Sequence, residues 1–313
     1  ELAKKLFNID EISCESDPSH IEPTNLKLFK GLISRLSIGV QSFNDDILKR
    51  VGRYEKFGSS VDLVNKLKNA INILPVTSID LIFNFPNQTK DMLLNDINLA
   101  KSIGAQQITF YPLMKSNLTK AKIASTLGNS YKDNEYEFYS IIEENFKDYY
   151  KNNAWSYAKE KSSLNDEYVS SKHEYLGIGS GGFSFLGGEL FINAFNLNKY
   201  NEKIQNQQSS VIANCKFSSK ERVKYLFLTE IFSGFIDVDK FNQTNNINLY
   251  KTLNLELNLL RLVGAIEIQN NSIKSTQFGR YDIASALSII IFLIIGTISF
   301  VQMKASGQFE EVK

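Results

Sequence analysis

The stretch Arg35-Leu-Ser-Ile-Gly-Val-Gln-Ser-Phe43 constrains the fold more than any other. Leu36, Ile38 and Val40 are apolar at a period of two, the signature of a buried strand. The run stops at polar Gln41-Ser42, and Asn44 is placed to cap a short helix closing at Gly52. A strand, a polar tip and a helix make one unit of a parallel α/β fold, in which ligands sit on the loops leaving the strands' carboxyl ends. Gln41 lies on such a loop.

The pattern repeats on either side. Glu11–Glu15 reads as a strand running into the turn Asp17-Pro18, with a helix from about Thr24 to Leu32. After the Ser59-Ser60 cap, Val61, Val64, Leu67 and Ile71 share one face of a helix over about 61–73. Ser78–Phe83 is a third strand; Thr89 caps a helix that Gly104 stops, and Gln107–Tyr111 is a fourth strand ended by Pro112. Such alternation predicts a parallel sheet, closed or open. Residues 116–153 read as helical, with Tyr136, Phe138, Tyr139, Ile142 and Phe146 as a buried stripe. Residues 155–200 read as irregular. Helices over Glu221–Phe232 and Leu249–Val263, then a strand Ala265–Ile268 turning at Asn270-Asn271, predict a winged-helix-like cap. The domains expected are 1–115, 116–205, 206–279 and 280–313.

A net charge of +1 gives no argument for nucleic acid. Two cysteines, Cys14 and Cys215, make neither a disulfide framework nor a metal set, and fit a reducing cytosol. Ile283–Met303 is uncharged over 21 residues, near the ~20 needed to cross ~30 Å of hydrocarbon. It is expected to be a membrane-competent helix, giving membrane contact through 283–303. Gly177-Ile-Gly-Ser-Gly-Gly-Phe183 falls too late in the chain for a dinucleotide fold and is expected to be a tight backbone loop beside a ligand or another strand.

Glu15, Gln41, Arg53 and Asp80 fall at or just beyond strand ends. Each has an ordinary reading: cap, loop residue, surface base, core carboxylate. Clustered, they would suit a ligand with hydroxyls, an amine and a carboxylate, the arginine clamping the carboxylate. Asp80 stands out because Ile79, Leu81 and Ile82 flank it, and a desolvated carboxylate needs a partner.

Together, the segments Glu11–Pro18, Arg35–Phe43 with Gly52-Arg53, Ser78–Pro86 with Gln88-Thr89, Ile108–Leu113, Asp166-Glu-Tyr168 and Gly177–Ser184 resemble, in order, the oxygen-independent coproporphyrinogen III oxidase family of radical SAM proteins. Heme chaperones and heme-opening methyltransferases are siblings in that group. The resemblance covers about residues 1–279. It implies a partial (β/α) barrel, here the third to sixth units, binding S-adenosylmethionine (SAM) at Glu15, Gln41, Arg53 and Asp80, with Tyr111 and Phe183 near the same ligand. It also implies a [4Fe–4S] cluster, reduced by a donor such as flavodoxin or ferredoxin, a 5′-deoxyadenosyl radical, a tetrapyrrole substrate and a cytoplasmic location. The family's Cys-x-x-x-Cys-x-x-Cys loop would precede Glu1, so the chain as given is expected to bind no cluster and to catalyse nothing alone. The tail from Tyr281 to Glu311 is similar to the last span of maltose-type ABC sugar permeases. That resemblance implies a fusion near Gly279 or, as a third reading, a membrane-anchored transport component.

Overall fold

The structure, a computed structural model, describes residues 5, 9, 11–113, 117–128, 134–161 and 173–276. The chain divides into two units, Glu1–Asp166 and Glu167–Lys313.

In the first unit the period-two segments become strands β1 (Ser13–Ser16), β2 (Arg35–Gln41), β3 (Val76–Phe83) and β4 (Gln107–Pro112), all parallel. Helices connect them: α1 (Pro23–Phe29), α2 (Asp45–Arg50), α3 (Tyr54–Phe57), α4 (Ser60–Ala70) and α5 (Lys90–Ile103). The caps follow the sequence. Asn44 accepts the N–H groups of Asp46 and Ile47, Ser59 and Asp62 form a capping box, Thr89 accepts from Met92, and Gly104 closes α5 at φ 89°.

After α6 (Asn117–Leu127) and α7 (Glu135–Asn145) the sheet changes character. Strands β5 (Tyr150–Lys151) and β6 (Ser156–Ala158) form an antiparallel hairpin, and β6 joins the edge of β4, giving the order β1-β2-β3-β4-β6-β5. A hairpin needs only a short turn where a parallel unit needs a crossover helix. The four residues between β5 and β6 therefore rule out one more barrel unit here. Among the described residues the sheet is open, with no closed barrel.

One face of the sheet is apolar. Leu36, Ile38, Val40, Ile79, Leu81, Phe83, Ile108 and Phe110 are all buried, as are Leu63, Leu67, Leu93 and Ile97 on the crossover helices. In α7, Phe138, Tyr139 and Ile142 are buried, and so is Phe146 just beyond it, but Tyr136 stands half exposed, one step off the expected stripe.

The second unit contains a three-stranded antiparallel sheet whose first two strands fall where the sequence reads as irregular: β7 (Phe183–Leu186), β8 (Glu189–Asn193) and then β9 (Val211–Lys216), with α8 (Leu197–Gln205) between the last two. Gly187-Gly188, at φ 59° and 79°, is a two-residue hairpin turn with both residues left-handed. Gly177–Phe183 folds on its own backbone, and Asn193 Nδ2 donates to the carbonyls of Gly177 (3.2 Å) and Gly179 (3.1 Å).

Helix α9 (Ser219–Ile231), β10 (Phe235–Asp237), α10 (Val238–Asn245), α11 (Leu249–Thr252), α12 (Asn254–Leu262), β11 (Ile266–Gln269) and β12 (Ser272–Ser275) then follow in winged-helix order, the sheet running β10-β12-β11. The expected 249–263 helix breaks at Leu253, whose side chain is buried. Leu226, Phe227, Phe241, Leu257 and Ile273 share one core with Phe185 and Leu190 of the β7–β8 hairpin.

Among the described residues no helix is long and apolar enough to cross a membrane. The span 283–303, and with it the expected tail helix, lies outside the described residues.

Gly177 is required by the close approach of Phe183. An added Cβ would lie 2.5 Å from the Phe183 nitrogen and 2.7 Å from its carbonyl carbon, both immovable backbone atoms. Gly177→Ala is expected to destabilise the second unit by about 1–3 kcal/mol, read as a lowered denaturant midpoint; an unchanged midpoint would mean the loop is free to move.

Candidate ligand site on the polar face of the first sheet

The alternation that buries Leu36, Ile38 and Val40 sends Arg35, Ser37 and Gly39 to the opposite face. The parallel register lines up Glu15, Ser37 and Ser78 in one row across β1–β3, and Gly39, Asp80 and Thr109 in another across β2–β4. This face is therefore polar, in contrast to the apolar one behind it.

Three expected site residues meet at Gly39. Asp80 is its partner in the neighbouring strand. Arg53, on the loop before α3, donates from a terminal guanidinium nitrogen to the Gly39 carbonyl at 2.8 Å. The Gln41 amide lies over Gly39, its Nε2 3.0 Å from where a Cβ would be. Gln41 gets there because the β2–β3 register slips between Gly39 and Gln41 and Gln41 takes φ 76°. A non-glycine residue in that region is uncommon and strained, a feature often found at binding sites.

Glu15 is exposed on the adjoining strand and acts on both Asp80 and Arg35 through its charge. Tyr111 is paired with Ile82 in β3 and meets Trp155 edge-on at 5.3 Å. Phe183 belongs to the second unit, at the start of β7, edge-on to Phe195 at 6.0 Å.

The polar network beneath the rim is built by residues the sequence reading passed over. Arg35, only 2% exposed, donates through Nε to Gln107 Oε1 at 2.7 Å and through a terminal nitrogen to Ser37 Oγ at 3.2 Å. Ser37 donates to Asp80 Oδ2 at 2.5 Å, and Ser78 to Asp80 Oδ1 at 3.2 Å. Burial pushes the Asp80 carboxyl up, against the opposing pull of Ser37, Arg35 and Ser78. Burial likewise draws the Arg35 guanidinium down, with Asp80, Tyr111 and Glu15 resisting. The available signal was the complement of the apolar period: Arg35, Ser37 and Gly39 are the intervening positions.

Two side chains hold the loops. Asp96, buried on α5, accepts the Phe43 N–H at 2.7 Å and the Ser42 hydroxyl at 2.9 Å, fixing the chain just after Gln41. Asp17 ties the loop after β1 to Lys56 at 2.9 Å, while Arg53 and Lys56 lie over the Phe57 ring at 5.3 and 4.7 Å. Burial would raise the Asp17 carboxyl, but hydrogen bonds from Ser19, Lys56 and His20 outweigh it and hold the group below the usual range.

Chemically, the rim offers two carboxylates, an amide and a guanidinium to a ligand. For metals it offers little: among the described residues no group of three or more His, Cys, Asp or Glu side chains could hold an ion. Cys14 lies in β1 and Cys215 in β9, one in each unit, both as free thiols.

Residues 1–100 match the radical SAM superfamily. The fold is similar to that of coproporphyrinogen III oxidase (HemN) from Escherichia coli, a radical SAM enzyme, with a TM-score of 0.68 at 19% identity over 88% of this chain and 68% of that one.

The sequence relatives are narrower in kind. The chain is 28% identical to the heme chaperone HemW of Bacillus subtilis over 201 residues, 61% of this chain and 52% of that protein. It is 36% identical to HemW of Haemophilus influenzae over 107 residues (33% of this chain, 27% of the relative). With the oxygen-independent coproporphyrinogen III oxidase of Helicobacter pylori strain 26695 it shares 32% over 129 residues (39% and 27%). The chain thus spans about half the length, or less, of the relatives it matches. The permease resemblance of the tail finds no support among them.

Burial pushes Asp96 up to about 7, above the ~3.9 of an unfolded aspartate. The folded state therefore holds more protons between those values, and the contribution is fully present below about pH 4 and lost as pH rises through 7. Asp96→Asn keeps an acceptor for Phe43 and is expected to remove a fall in stability on the order of 3 kcal/mol between pH 4 and pH 8. Urea unfolding across that range measures it; parallel slopes in the two proteins would refute it.

Proposed function

We propose that the first unit is the SAM-binding part of a radical SAM protein that handles a tetrapyrrole. The observation that carries this reading is the meeting of Asp80, Arg53 and Gln41 at Gly39, with Glu15 on the adjoining strand, in a region matching the radical SAM superfamily. Arg53 holds the Gly39 carbonyl with one terminal nitrogen, and its other terminal nitrogen would serve the ligand's carboxylate. Asp80 and Glu15 would take ribose hydroxyls or the ammonium group, and Gln41 a polar edge of the nucleoside. Tyr111 supplies an aromatic wall beside this set.

A [4Fe–4S] cluster is held by cysteine thiolates, and two cysteines in separate units do not fit it. The part of these residues is to bind and orient SAM and to shield it from water.

Two readings of the whole protein follow. The fold neighbour and the Helicobacter pylori relative favour an oxidase acting on a porphyrinogen. The Bacillus subtilis and Haemophilus influenzae relatives favour a heme chaperone. Hemin titration separates them: a saturable Soret shift supports the chaperone reading, and its absence favours the oxidase.

Arg53→Ala is expected to weaken SAM binding by more than about tenfold, as loss of a charge-assisted clamp should. Calorimetric titration with SAM measures it, and equal affinity in the variant would rule out the clamp.

A further inference from the structure

Arg35 is the largest fully buried side chain among the described residues, and it carries a guanidinium. Burying a guanidinium costs desolvation that an apolar side chain of similar volume would avoid. What the arginine adds is direction. It can only donate, so Ser37 Oγ must accept from it at 3.2 Å. The single proton of that hydroxyl is then committed to Asp80 Oδ2 at 2.5 Å. Ser78 donates to the other carboxylate oxygen at 3.2 Å, so both oxygens accept and neither is arranged to carry a proton. Gln107 Oε1, at 2.7 Å from Arg35 Nε, prevents the guanidinium from swinging away.

We infer that Arg35 is a positioning residue: from the buried start of β2 it fixes, through the Ser37 hydroxyl, the orientation and negative charge that Asp80 presents to the ligand. Without Arg35 the Ser37 hydroxyl can turn and accept a hydrogen bond from a protonated Asp80, and the carboxyl can then stay neutral in its low-dielectric surroundings. Groups acting on this pair from neighbouring strands include Glu15 from β1, which opposes the charge on Asp80 and supports that on Arg35, and Tyr111 from β4, which acts on Arg35. The identity of the ligand rests on the SAM reading above; the coupling of Arg35 to Asp80 does not.

The test follows the Asp80 carboxyl directly, by carbon NMR of the full chain labelled at aspartate carboxyls, the signal being assigned by its loss in Asp80→Asn. In Arg35→Met the Asp80 titration midpoint is expected to rise by at least about one unit. Ser37→Ala, which keeps the guanidinium but cuts the relay, is expected to raise it as well. Arg35→Lys keeps the charge and should restore part of the shift. In parallel, SAM titrations at pH 6 and pH 9 should show Arg35→Met losing about tenfold more affinity at the lower pH.

An unmoved Asp80 midpoint in folded Arg35→Met, or in Ser37→Ala should the first not fold, overturns the inference whatever SAM does. A shifted midpoint in a chain whose wild type takes no SAM at either pH overturns the SAM reading instead and leaves the coupling intact.

Discussion

A serine hydroxyl shared between a buried guanidinium and a carboxylate organises the polar side of the first sheet. Arg35 sits at the amino end of β2 and Asp80 toward the carboxyl end of β3, so the link through Ser37 runs diagonally between neighbouring strands. It gives the sheet two unlike faces. Behind it, Ile38, Ile79 and Ile108 exclude water; in front, a line of donors and acceptors is satisfied residue by residue. Buried polar groups that lack partners are costly. The fixed hand of each contact, with arginine giving, serine relaying and aspartate receiving, opposes the upward push of burial on the Asp80 carboxyl.

Gly39 is the second constraint, and it works by what it lacks. Its missing side chain gives the Gln41 amide its place, while its carbonyl receives Arg53 and its backbone pairs with Asp80. Loop and helix residues then hold this arrangement from outside. Asp96 grips the chain after Gln41, and Asp17 with Lys56 grips the segment carrying Arg53. The rim is thus held from the α5 side by Asp96 and from the loop after β1 by Asp17.

Much of the first unit was legible because its elements are locally consistent. Asn44, Ser59, Thr89 and Gly104 do in the structure what caps and stops do, and the apolar period in β2 and β3 marks the buried face. The polar interior was less legible: Arg35 and Gln107 lie 72 positions apart and meet only once the strands are in register. The antiparallel elements were harder still. Gly187-Gly188 carries the backbone freedom of a hairpin turn, yet Phe183–Leu186 is short and follows a glycine-rich run, so its strand character comes from pairing with β8. Tyr136 shows the opposite limit, since an aromatic close in sequence to buried Phe138 and Tyr139 falls one step off their stripe and ends half exposed.

The slip in register between Gly39 and Gln41 has a wider meaning. Beyond that point β2 is out of step with β3, so the amide's side of the sheet depends on how many residues intervene as well as on which residues they are. Deleting one position there would straighten the ladder and carry the glutamine to the oily side, with every amino acid of the rim still present. Chain length at a single step therefore decides which face carries the amide, and comparison of residue types alone would miss its loss.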